Sequence, residues 1–79
     1  MNKTRTEKQA LLNQLQLYTR SDAAKSMTLQ QYQRLVSWLN GMSFTEIAQE
    51  EAISPQAVSQ SVTRDIKKIE AYILSSHVS

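Results

Sequence analysis

The chain contains one glycine and one proline, Gly41 and Pro55, and their scarcity constrains the fold more than any other feature. With so few breakers there is little room for long loops or tight hairpins, so helices joined by short connections are expected. Gln, Leu, Ala, Ser and Lys are abundant, which favours helix, and no alternating run of Val, Ile, Thr and aromatics marks a strand. At 79 residues, 41% of them apolar, the chain supports one domain around one small core.

Residues 2–20 carry helical periodicity, with Leu11, Leu12, Leu15 and Tyr18 on one face. Thr4 or Thr6 can cap this helix, and Glu7 completes a capping box with Thr4. Lys3, Arg5 and Lys8 could alternatively form a basic arm that touches phosphates. Residues 21–26 break the pattern as a short linker. Thr28 is the next expected N-cap, with Gln31 reaching back, and Tyr32, Leu35, Val36 and Leu39 form the apolar stripe behind it. Asn40-Gly41 ends this helix, since glycine readily takes the left-handed conformation a C-terminus wants. Trp38 lies beside the stripe, where core packing is its expected role.

Ser43 and Glu46 form a further capping box for a short helix over 44–51, with Phe44, Ile47 and Ala48 on one side. Ala52-Ile53 is the break. Ser54 then caps a fourth helix with Pro55 in its first turn, where the missing N–H costs nothing. Its stripe is Val58, Val62, Ile66, Ile69 and Ile73, and nothing through Leu74 would stop it. The expected fold is therefore all-α, a small four-helix domain spanning 1–79. Residues 1–26 form its first helix and linker, and 27–74 hold the functional unit.

Several function classes find no footing. Nine Lys and Arg against seven acids give a net charge of +2, compatible with a nucleic-acid partner but not evidence for one. The absence of cysteine removes disulfides and thiolate zinc sites. The single histidine, His77, lies in a polar tail without a second ligand nearby and is expected to be a solvated surface residue. No metal or other cofactor is expected, and no nucleophile, base and oxyanion donor assemble into an enzyme site. No apolar run approaches the roughly 20 residues of a membrane span, and no signal-peptide core is present, so a cytoplasmic protein is expected.

Residues 44–66 meet the physical demands of a helix-turn-helix. A steep crossing needs a small contact residue, which Ala48 supplies, and residues 51–54 give the short turn. Ile53 is expected to plug the space between the two helices, with Val58 and Val62 anchoring the second from beneath. That leaves Gln56, Ser59, Gln60, Thr63 and Arg64 facing outward. Their chemistry suits a major groove: Gln60 can pair with adenine N6 and N7, Ser59 and Thr63 can donate or accept, and Arg64 can reach a guanine edge or a phosphate. Ser54, Lys67 and Lys68 are the expected phosphate contacts.

The run Gly41-Met42-Ser43-Phe44, then Glu46-Ile47-Ala48, Ile53-Ser54 and Val58, resembles the helix-turn-helix of sigma factor region 4. Met27 to Tyr32 and the run Gln56-Ala57-Val58-Ser59-Gln60-Ser61-Val62 are similar to the TrfB (KorA-type) plasmid repressors. The resemblance covers about 27–69. It implies that the long C-terminal helix is a recognition helix, on which Gln60, matching the glutamine of the family's Ala-Val-Ser-Gln run, reads a base. Two positions depart from the pattern. Ala52 stands where glycine is usual, at a cost of about 1 kcal/mol if the turn is left-handed. Glu51 stands where an apolar residue is usual, so either the helix ends early or Glu51 pairs with a basic neighbour.

The expected function is a sequence-specific double-stranded DNA-binding regulator, a repressor or autoregulator of the kind found in plasmids and phages. A single reading helix offers few base contacts, so a homodimer on an inverted repeat is expected. Leu11, Leu12, Leu15 and Leu17, with Ile69, Tyr72, Ile73 and Leu74, are the candidate dimer surface. The alternative is an interaction module of the region 4 kind that binds RNA polymerase or a regulatory protein, using an acidic patch at Glu46, Glu50 and Glu51.

Overall fold

The computed structural model describes residues 4–77, and among them the chain is all-α, without a strand. Four helices follow in order: α1 (Arg5–Thr19), α2 (Leu29–Leu39), α3 (Phe44–Glu51) and α4 (Pro55–His77). Three of them start on a reciprocal capping box, Thr4 with Glu7, Thr28 with Gln31 and Ser43 with Glu46. In each, the hydroxyl accepts from the third backbone N–H while the acid or amide accepts from the cap's own N–H. α4 starts on Ser54, whose Oγ accepts from the Ala57 N–H at 3.1 Å.

The expected linker is more ordered than its composition suggests. Asp22–Ser26 winds into a 3₁₀ turn, tied to α1 where the Ser21 hydroxyl donates to the Tyr18 carbonyl at 2.6 Å.

α2 and α3 end in the same way. After α2, the Met42 N–H donates to the Ser37 carbonyl and the Gly41 N–H to the Trp38 carbonyl. After α3, the Ile53 N–H donates to the Ala48 carbonyl and the Ala52 N–H to the Gln49 carbonyl. Both are Schellman closures that need one left-handed residue. Gly41 takes that role at φ 109° and Ala52 at φ 56°.

α4 is the spine, packed against α1, α2 and α3 alike. Its Val58, Val62, Ile66 and Ile69 meet Leu11, Leu15 and Tyr18 of α1, Leu35, Trp38 and Leu39 of α2, and Ile47 and Ala48 of α3 in one core. Tyr18 meets Tyr72 edge-on at 5.6 Å between centroids, and Trp38 stacks on Phe44 at the same separation.

Two expectations are corrected by this packing. Leu11, Leu15 and Ile69 are buried inside the protomer, because α1 lies directly on α2 and α4, and they offer nothing to a second chain. Leu12, Tyr72 and Ile73 are half-buried against the same core. Ile53 is not a plug: it is 38% exposed, since the left-handed turn at Ala52 carries it outward. Ile47, Ala48, Val58 and Val62 fill the space between α3 and α4 instead.

Lys3 of the expected basic arm and the His77 side chain lie outside what is described. Lys8 is no free arm residue, because its ammonium sits 4.5 Å above the Trp38 ring. No helix among the described residues is long and apolar enough to cross a membrane.

Candidate nucleic-acid interface

The outward face of α4 follows from its inward one. Because Val58, Val62, Ile66 and Ile69 are committed to the core, the positions about half a turn away face solvent. Ser59, Gln60, Thr63, Arg64 and Lys67 line one shallow recess of about 330 Å³. Ser59 and Thr63 are half-buried at its base, while Gln60, Arg64 and Lys67 stand exposed around it. The recess thus presents two hydroxyls, one amide and two cations. Gln56 is exposed in the first turn of α4, at the end where the unpaired backbone N–H groups give a helix its positive pole. Ser54 is exposed beside it, but its hydroxyl already accepts the capping bond from Ala57.

Lys68 departs from its expected role. Its ammonium donates to the Ser26 carbonyl at 3.2 Å, because position 68 lies around the helix from Lys67, on the side facing the 3₁₀ turn. Lys67 alone extends the outward face as a cation.

Behind this face lies a polar cluster that holds α4 to its neighbours. Arg34 of α2 donates from Nε to Glu51 Oε2 at 2.9 Å and from Nη2 to Glu51 Oε1 at 2.6 Å. Its Nη1 donates to the Ser61 hydroxyl of α4 at 2.7 Å. Gln30 adds a bond to Glu51 Oε1 at 2.8 Å. One guanidinium therefore links α2, the end of α3 and the middle of α4, in the bidentate geometry that only arginine supplies. Of the two alternatives for Glu51, the structure takes the second: α3 continues to Glu51 and the carboxylate pairs with Arg34. The Arg34 hydrogen bonds hold the Glu51 carboxyl below its ordinary range despite burial. Glu46 is likewise held low by the Ser43 cap.

Asp65 is the residue that reasoning from the sequence passes over. It is 1% exposed, and neither carboxylate oxygen has a hydrogen-bond partner. Burial pushes its carboxyl upward against the pull of Lys68, Arg34 and Arg64. Ser61 and Asp65 fall within the Val58, Val62, Ile66, Ile69 stripe at helical spacing, so their burial could have been read from the period alone.

A separate trough of about 730 Å³ runs between α2 and α3, lined on its apolar side by Leu29, Tyr32, Val36 and Ile47, with Glu50 at its edge. Among the described residues Leu29 is the most exposed of the large apolar side chains, at 71%.

No family model, no curated protein and no solved structure matches the chain.

Proposed function

We propose that the protein is a sequence-specific double-stranded DNA-binding transcriptional regulator. In this reading α3, the turn and α4 act as a helix-turn-helix, and α4 enters the major groove. The observation that carries the reading is the recess shared by Ser59, Gln60, Thr63, Arg64 and Lys67, on a helix whose other side is anchored by core and by Arg34. Amide, hydroxyl and guanidinium groups are the types that discriminate base edges. Three-sided anchoring supplies the rigidity that such discrimination requires. Gln60 and Arg64 are the principal base readers, Gln56, Ser59 and Thr63 assist, and Lys67 contacts phosphate, with Ser54 at the helix start.

The chain acts as a homodimer on an inverted repeat, in the cytoplasm, as a repressor or autoregulator of the plasmid or phage kind. Occupancy of the operator is set by the protein's own concentration. The test is selection of bound sites from a random duplex pool, followed by titration at about 50 and 200 mM salt. An enriched palindromic site, with affinity falling steeply with salt, is the expected result. No binding at the lower salt would reject the reading.

That negative outcome would favour the second one, a region 4-like module for RNA polymerase or a regulatory protein. Its specific support is the α2–α3 trough, with Leu29 exposed and Tyr32 half-buried along it. The acidic patch expected to serve it is reduced: Glu51 is neutralised by Arg34 and Glu46 caps its own helix, leaving Glu50.

A further inference from the structure

A buried carboxylate without a hydrogen-bond partner is costly, and more so when charged. Asp65 is such a group, and it lies next to Arg64 in sequence, one of the proposed base readers. The charges that act on it can be named element by element. From α4 itself come Arg64 and Lys68, and from α2 comes Arg34. From α3 the nearby charge is Glu51, which shares the Arg34 guanidinium. In the 3₁₀ turn, Asp22 and Lys25 are fully solvated and lie beside each other, while the Ser26 carbonyl takes the Lys68 ammonium. Arg34 directs its hydrogen bonds to Glu51 and Ser61, so the carboxylate is left with cations at a distance and no donor in contact.

We propose that Asp65 couples DNA binding at α4 to the uptake of one proton. The inference rests on the DNA-reading role of α4 and goes beyond it by making Asp65 the positioning residue that sets its pH dependence. A duplex seated on α4, with a phosphate at Lys67 and a base edge at Arg64, brings negative charge to the helix and occupies a cation, Arg64, that otherwise offsets the Asp65 charge. Asp65 is buried, so solvent and salt screen this change only weakly. The carboxylate is disfavoured in the complex, and a proton from solvent neutralises it as a carboxylic acid. By linkage, what DNA does to the proton the proton does to DNA: affinity rises as pH falls. The window lies between the Asp65 pKa of the free protein, already above the ordinary range through burial, and the higher value in the complex. Uptake of one proton gives at most about a tenfold change in affinity per pH unit within that window.

The test uses the full chain and a labelled duplex carrying the selected site, at constant ionic strength, from neutral pH down to the most acid pH at which the chain stays folded. Wild type should bind more tightly toward the acid end. Asp65→Asn should bind with a flat profile, and His77→Gln should retain the wild-type slope. A flat wild-type profile, or an unchanged slope in Asp65→Asn, overturns the proposal. Should that variant fold poorly, carboxyl NMR of wild type replaces it: the Asp65 midpoint should move upward when duplex is added, and no movement or a downward one overturns the proposal. Binding without a proton-linked slope would reject this inference alone. Absence of binding at every pH would reject the DNA reading and this inference with it.

Discussion

Ala52 holds φ 56° and ψ 42°, where the Cβ of an L-residue crowds the following carbonyl oxygen. Gly41 closes α2 through the same pair of bonds without that contact, and its space is open. Ala52→Gly should therefore stabilise the fold by about 1 kcal/mol. In a domain of this size the melting temperature should rise by roughly 4–8 °C, and a thermal melt showing a fall would refute the strain. Asp65 has the opposite sign from an ordinary paired carboxylate. Its pKa is raised in the folded chain, so the stability it contributes is complete below the unfolded aspartate range and is lost as pH rises through the folded value. Asp65→Asn should raise the neutral-pH urea midpoint and leave stability nearly unchanged in acid. Gln60 and Lys67 separate the two kinds of DNA contact. Gln60→Ala should lose about 1–3 kcal/mol of discrimination at one base position. Lys67→Ala should weaken all duplexes alike and lower the salt slope by about one. Equal effects in both assays would sink this division of roles.

At the scale of elements, the Arg34 cluster decides how α3 and α4 are held. Its side chains are only 13% and 17% exposed, so removing one partner leaves the other charge poorly solvated. Arg34→Ala should cost about 2–4 kcal/mol in urea unfolding. It should also remove an acid-side loss of stability. The Glu51 pKa is lowered chiefly by Arg34, so its contribution is present above the ordinary glutamate range and lost as pH falls through the lowered value. An Arg34→Ala variant with wild-type acid sensitivity would contradict that assignment. The helix starts were legible because each rests on a local signal: Thr4 with Glu7, Thr28 with Gln31, Ser43 with Glu46, Ser54 with Pro55. The span of α3, Phe44–Glu51, was legible for the same reason. What was not legible is tertiary. Glu51 asked for a cation, but only the fold brings Arg34 across from α2. Ile53 looked like core by its hydropathy, and the left-handed Ala52 turned it outward. Lys68 was indistinguishable from Lys67 until the 3₁₀ turn supplied Ser26. The outward set on α4 followed from its apolar period.

For the whole molecule, the question is how a second copy would join. α4 has 23 residues, about 34 Å at 1.5 Å per residue. The reading side chains occupy its first half. Leu74 lies ten positions beyond Arg64, roughly 15 Å along the helix, and it is 66% exposed. Leu17, which follows α1 toward the same end where Tyr18 meets Tyr72, is 55% exposed. With Leu11, Leu15 and Ile69 enclosed in the protomer, Leu17 and Leu74 are the exposed candidates for the dimer contact the proposal requires. Both side chains already face solvent, so their replacement should leave monomer stability within about 0.5 kcal/mol. Wild type should sediment as a dimer, and Leu74→Glu with Leu17→Glu should sediment as a monomer with an unchanged melt at low concentration. The double variant should still bind an isolated half-site weakly while losing its preference for the inverted repeat. If Leu29→Glu dissociates the dimer instead, the contact lies on the α2–α3 trough. A wild-type monomer that binds the complete operator tightly would remove the dimer from the mechanism.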